Sequence, residues 1–400
     1  MTGQVGPPLF QGKPSRSEPK DYSESEFEFL ERVDRPYWAR VRALIDAWFA
    51  DFPSNRHDHL EKRLRSVDPR QFAAGFWELY LHAALKRSGL NVQALKEGKE
   101  RTPDFEVSTD KGSCFIEATV VSGISDPTEQ AERRRGVLLD AIDRLRSDRF
   151  TLDIHVEEDG EALVNPDGDP LPELEMLVGD VLARLADLDR LASAAQLPAE
   201  DLLLSHGWTW RDKGWIVTFI PILLPEAMWA NHSVPLVGAL SIGEASIVRD
   251  DRSLANKLLT KLDHYEGRFQ PLLIAVHLDN PFIGRRVLGG LFGYPIELTA
   301  DGEVMRSALK ESPGVFFTEP GRTLGGIAIV TALRPWIVAR ASVDLWRNPN
   351  ANASLPELNV WPTHEFDLPL GPSRLVSSGR PPHLLFDLPK EWPGPEGPFE

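Results

Sequence analysis

Cysteine is almost absent from this 400-residue chain. Cys114 is the only one, which excludes an intrachain disulfide and any zinc site built from cysteines. Its place inside an alternating apolar stretch reads as a small core residue rather than a nucleophile. Long apolar runs are missing too, and none approaches the ~20 residues a membrane-crossing helix needs. The opening stretch "MTGQVGPPLFQGKPSRSEPK" lacks the apolar centre of a secretory signal, so a cytoplasmic protein is the expectation. Basic residues are outnumbered, 44 against 60 acids, for a net charge of −16. Such a balance argues against a protein that coats itself with nucleic acid, because that binding needs a positive surface to release counterions. There is no GxSxG elbow and no Walker loop, since "GGLFG" and "GRTLGG" lack the required flanks. His57 and His59 are two apart and diverge on a helix, and nothing nearby completes a zinc set.

What is present is a globular composition, 42% hydrophobic and 26% charged. The length exceeds what one core usually fills, which predicts two domains or one core with large additions. Residues 1–20, rich in Pro, Gly, Ser and charge, are expected to be disordered. Residues 21–66 read as an N-terminal helical layer, with Trp38, Val41, Leu44, Ile45 and Trp48 at helical spacing. Residues 67–285 read as an α/β core carrying a long insertion at about 124–250. Residues 286–400 read as a β-rich C-terminal extension ending in a Pro-rich tail that wraps the surface. "GWIVTFIPIL" (214–223), apolar throughout, predicts a strand covered on both faces. The eleven tryptophans read as packing residues.

The chemistry concentrates in "TPDFEVSTDKGSCFIEATVVSG" (102–123), two strands with a turn at Gly112. Alternation puts Phe115, Glu117, Thr119 and Val121 on one face of the second strand. An ionised carboxylate in that row is expensive unless paired or metal-bound. A tight antiparallel turn brings Asp104 and Glu117 onto neighbouring strands, where both could reach one hard divalent cation such as Mg²⁺ or Mn²⁺. Ahead of them, "DPRQFAAGFWELYLHAALKRSG" (68–89) is a buried helix with proline in its first turn.

Helix, strand, "PDF", turn, strand, "IEAT" resembles the PD-(D/E)XK, or restriction endonuclease-like, nuclease superfamily. The resemblance covers about residues 68–123 and 253–278. It implies an α/β core (helix, mixed central sheet, flanking helices) and Mg²⁺- or Mn²⁺-dependent hydrolysis of nucleic acid, foremost DNA. On this resemblance Asp104 and Glu117 are metal ligands, and Glu78 in "FWELYLHAAL" is an accessory ligand. The pattern's lysine is missing, because Thr119 stands in its place. The resemblance allows the lysine to come from a helix, and the segment 253–266 offers Lys261 or Lys257 beside the apolar stripe Leu254, Leu258, Leu262 and Tyr265. "KLDHY" is similar to the Gln-x-x-x-Tyr helix motif of recombination-type members, with Lys261 at the Gln position. Lys111, in the turn, is a weaker source.

Each feature also has a plainer reading. Glu78 and His82, at i and i+4, can be a hydrogen-bonded pair at the rim of a core. Asp104 can cap a turn after proline, and Lys261 can be a surface lysine. A DNA-binding face would have to be local, with "NRHDHLEKRLRSVDPR" (55–70) and "ERRRG" (132–136) as candidates; either can instead be a solvated helix face. The rival function is a catalytically degenerate nuclease-fold protein that acts as a binding or scaffold module.

Overall fold

The computed structural model describes residues 8–95, 101–121, 129–158, 160–165, 168–194, 206–229, 234–242, 250–265, 267–279, 287–294, 296–298, 304–306, 312–366 and 373–395. The helices used below are α1 (Glu26–Arg32), α2 (Pro36–Asp51), α3 (His57–Leu64), α4 (Pro69–Arg87), α5 (Glu129–Asp143), α6 (Pro172–Ala194) and α7 (Asp250–Tyr265). The strands are β1 (Asn91–Ala94), β2 (Phe105–Thr109), β3 (Gly112–Val121), β4 (Phe150–Glu158), β5 (Trp208–Asp212), β6 (Trp215–Leu223), β7 (Val237–Ile242) and β8 (Leu272–Leu278). Four more follow: β9 (Leu324–Thr331), β10 (Val343–Arg347), β11 (Thr363–Phe366) and β12 (Ser373–Ser377). Among the described residues no helix is long and apolar enough to cross a membrane.

The chain divides into two compact units. The first takes in Leu30–Ser125 and Val248–Gly397 and holds a mixed sheet of eight strands in the order β1-β2-β3-β8-β9-β10-β11-β12. Helices flank this sheet. β3, β8 and β9 lie parallel at its centre, and β1, β2 and β3 form an antiparallel meander at one side. The segment 286–400 is therefore not a separate extension. Its strands complete the central sheet, and β9 pairs directly with β8.

Local chemistry sets the elements that carry the site. Asp68 caps α4, its side chain accepting the Arg70 N–H at 2.9 Å, and Pro69 opens the helix. Gly89, at φ +82, ends it in the left-handed region that glycine tolerates. Within α4 the Trp77 indole donates to the Ala275 carbonyl of β8 at 2.9 Å, pinning the helix to one face of the sheet. α7 covers the opposite face. Its Leu254, Leu258, Leu262 and Tyr265 pack with Ile274 and Val276 of β8 and Val121 of β3. Burying each leucine stabilises the fold by about 1.5–3 kcal/mol, so the rotation of α7 about its axis is fixed.

The N-terminal stretch departs from the expectation of disorder. Leu9 is buried, and its N–H donates to Asp46 Oδ1 at 2.8 Å. Residues 1–7 lie outside the described residues. The Pro-rich end is also better packed than its composition suggests, because Phe386 contacts the rings of Trp48 at 4.8 Å and Tyr80 at 5.1 Å. Composition registers prolines and charges, whereas a single leucine or phenylalanine in a fitting pocket is enough to order a segment.

The second unit takes in Ser17–Phe29 and Asp126–Ile247, a range within the 124–250 expected as an insertion. Its four strands run in the order β5-β6-β4-β7. One sheet face packs on α5 and α6 through Leu138, Ile142, Leu177, Val181, Ile154 and Val217. β6 alternates between buried and half-buried side chains rather than being covered on both faces. Its isoleucines and Thr218 face away from the helices, a pattern that hydrophobicity alone does not separate from full burial.

Candidate active site

The hairpin places its acids as the turn requires. Phe105 pairs with Ile116 across β2 and β3, so Asp104, one residue before β2, lies one register step on, opposite Glu117. The ladder ends there, and Asp104 Oδ2 accepts the Ala118 N–H at 2.7 Å in its place. Glu117 is 5% exposed, on the β3 face covered by α7.

α7 meets β3 with a row of side chains one turn apart. Lys257 donates to the Val120 carbonyl at 2.6 Å. The Lys261 ammonium pairs with Glu117 Oε1, and the Tyr265 hydroxyl donates to Glu117 Oε2 at 2.6 Å. Lys261 and Glu117 are 144 positions apart in sequence. Of the two helix lysines, then, Lys261 reaches the carboxylate and Lys257 meets the strand backbone. Thr119 is buried on the same β3 face as Glu117, so Lys261 approaches the face that carries it. Lys111 sits at the far turn of the hairpin, paired with Glu357 at 2.8 Å.

Glu78 is held differently from either sequence expectation. Its Oε1 pairs with Arg63 and its Oε2 lies 3.4 Å from Arg56 Nη2. His82 packs instead between the rings of Phe52 and Phe105. Arg56 is itself buried. It reaches Asp104 Oδ1 at 3.1 Å and the Asp104 carbonyl at 3.2 Å, so one guanidinium bridges Glu78 and Asp104. Both arginines come from the basic run 55–70, so two of its charges turn inward and the run is not a surface face as a whole. Arg65 and Arg70 pair with Glu61 and Asp68. In the other run, Arg135 is buried.

These arginines were legible only in part. Arg56, Leu60, Arg63 and Leu64 recur at i, i+4, i+7 and i+8, one helical face, and the two leucines are fully buried. Gly75 of α4 lets that face approach closely, since a Cβ there would lie 3.2 Å from atoms of both Arg63 and Leu64. Tyr265 stood in the sequence both in the apolar stripe and in the Lys-x-x-x-Tyr spacing of "KLDHY"; its hydrogen bond to Glu117 is what the structure adds.

The electrostatics follow from burial. The Glu117 carboxyl is pushed up from its ordinary range by burial and then by the Asp104 charge, against the pull of Lys261 and Tyr265. Glu78 is pushed up by burial and then by Asp104, with Arg63 and Arg56 opposing. Tyr265 is driven far above its usual range by burial and by Glu117, so it remains a proton donor. Tyr265→Phe is expected to destabilise the fold by about 1–3 kcal/mol, because a buried carboxylate oxygen loses its donor. Urea denaturation of the two proteins measures this directly.

Among the described residues no group of three or more His, Cys, Asp or Glu side chains stands ready to hold a metal ion. Two carboxylates suffice for Mg²⁺, which keeps waters and substrate oxygens as its other ligands. Asp104 and Glu117 offer hard oxygens on adjacent strands. The Asp104 side chain is 13% exposed, so the pair fits a divalent ion that also keeps waters. No family model, curated protein or solved structure matches the chain.

Proposed function

We propose that this chain hydrolyses phosphodiester bonds of nucleic acid, DNA foremost, at a restriction endonuclease-like core of the PD-(D/E)XK kind. The observation that carries the reading is the convergence of Asp104, Glu117 and Lys261, with the lysine delivered by α7. Asp104 and Glu117 would hold a Mg²⁺ or Mn²⁺ ion, which when bound supplies Lewis-acid stabilisation of phosphate charge and a more acidic water.

The chain's own residues do the rest. Glu117 and Tyr265 fix one another, so the carboxylate enters the reaction already oriented. Glu117 also holds the Lys261 ammonium in place, where its charge can offset the negative charge that grows on the phosphate oxygens. The Ala118 N–H and Arg56 fix Asp104 from two sides. Arg101, exposed, lies against the His264 ring at 2.6 Å, and the exposed Arg268 donates to the Tyr265 carbonyl at 3.3 Å. Together they form a local basic rim beside Tyr265, suited to a phosphate backbone.

The expected result is cleavage of plasmid or single-stranded DNA in Mg²⁺ or Mn²⁺, suppressed by EDTA. Lys261→Met should slow it by ~100-fold or more, with Lys261→Arg retaining part of the rate. An inactive wild type against every DNA and RNA substrate would sink the reading.

One observation favours a second reading. Each oxygen of Glu78, Asp104 and Glu117 already has a protein donor: Arg63, Arg56, the Ala118 N–H, Lys261 or Tyr265. A site so satisfied suits a degenerate nuclease fold that binds nucleic acid or a partner without cutting. Binding without cleavage in the same assay selects it.

A further inference from the structure

The resemblance implied Glu78 as an accessory metal ligand, but a buried arginine stands beside it. We propose that the site is built for a single divalent ion at Asp104 and Glu117, with Arg56 as the fixed cation between Glu78 and Asp104. The inference rests on the metal-assisted reading above. It makes Arg56 a positioning residue and removes Glu78 from the ligand set.

Access and partners both support this. Glu78 is 2% exposed, and a guanidinium holds each of its oxygens, Arg63 on Oε1 and Arg56 on Oε2. An ion between Glu78 and Asp104 would have to displace the buried Arg56 guanidinium. The Arg56 side chain is 5% exposed and is held by Glu78, by both the carboxylate and the carbonyl of Asp104, and by the Leu95 carbonyl at 3.5 Å. Its planar fork of donors matches that set.

Asp104 is less enclosed, with 13% of its side chain exposed. Each of its oxygens uses one acceptor position, on Arg56 or on the Ala118 N–H. An ionised carboxylate has about four such positions, so Asp104 can take an ion on its Glu117 side while Arg56 stays.

Charge points the same way. By formal count, Glu78, Asp104 and Glu117 face Arg56, Arg63 and Lys261, three acids against three bases, before any ion enters. One divalent ion then gives a positive excess matched to a phosphodiester and the charge it gains in the transition state. A second would sit in contact with a guanidinium in a buried site, where repulsion is strong.

Mn²⁺ binding to the full-length chain tests this by calorimetry and by the electron paramagnetic resonance signal of free Mn²⁺, with no need for turnover. The wild type is expected to take up one Mn²⁺. Asp104→Asn should weaken that binding at least as much as the ~10–100-fold that loss of a supporting residue typically causes. Glu78→Gln should leave stoichiometry and affinity nearly unchanged. Arg56→Lys should keep the single ion, and Arg56→Gln, which frees the Glu78–Asp104 gap, should admit a second. Two ions on the wild type would overturn the proposal, as would a Glu78→Gln loss equal to that of Asp104→Asn. The wild-type count decides even if a variant fails to fold. A wild type that binds no Mn²⁺ would overturn the metal-assisted reading itself, an outcome distinct from two bound ions.

Discussion

Glu117→Gln is expected to cut divalent-dependent cleavage by at least ~100- to 1,000-fold while the protein stays folded. Two losses combine. Glutamine is a poor ligand for a hard cation, and it no longer pairs with Lys261, so the ammonium is free to leave the phosphate's position. The fold is expected to survive because the substitution keeps shape and retains an acceptor for Tyr265. It also removes a buried charge that burial and Asp104 both disfavour, and Lys261 is partly exposed and can turn to solvent. Thermal melting alongside a plasmid-nicking assay separates the two effects. A variant that cleaves at the wild-type rate would take Glu117 out of the machinery. Thr119→Lys in the same background should not restore activity, because position 119 is buried.

The second large effect concerns acid. Burial, with the Arg334 charge adding to it, pushes the His277 imidazole down to about 3. Burial likewise pushes His82 down to about 4, with Lys86 helping and Asp51 opposing. Both rings are therefore neutral in the folded protein, and Nε2 of His277 accepts the Leu333 N–H at 3.0 Å. Unfolded, each takes up a proton near its ordinary value of 6.5. Below that pH the unfolded chain binds more protons, so the stability these groups contribute is lost as pH falls toward 4 and then 3. At 1.36 kcal/mol per pKa unit, His82 and His277 account for about 3 and 5 kcal/mol at full extent. Glu78 and Glu117, shifted upward, act in the opposite sense and offset part of the loss. Comparing His277→Asn with the wild type isolates the one ring. The destabilisation caused by the variant at pH 7 should shrink by about 2 kcal/mol by pH 5, since the wild type loses that much of its advantage. A gap constant between those pH values would show that His277 does not hold a depressed pKa.

How much of this was readable beforehand differed residue by residue. The hairpin was legible because its signals are local: a proline, a turn glycine and strict alternation determine which side chains become neighbours. Lys261 was legible because an apolar stripe fixes the face a helix buries, and the lysine beside it must then lie along the sheet. Arg56 and Arg63 were not, because arginine in a basic run is ordinarily at the surface. Only their spacing with Leu60 and Leu64 indicates burial. The C-terminal strands were recognisable as strands but not as members of the central sheet. Local pattern determines that Leu324–Thr331 is extended, whereas its parallel pairing with β8 depends on long-range packing.

The 144-residue separation of Glu117 and Lys261 also bears on synthesis. A chain growing from its N-terminus acquires its acids early and its lysine late, after the whole of residues 126–247 has been made. If the lysine is as necessary as the geometry suggests, any chain that stops short of it is harmless to nucleic acid. On the proposed reading, cleavage would then become possible only once most of the chain's length has been translated.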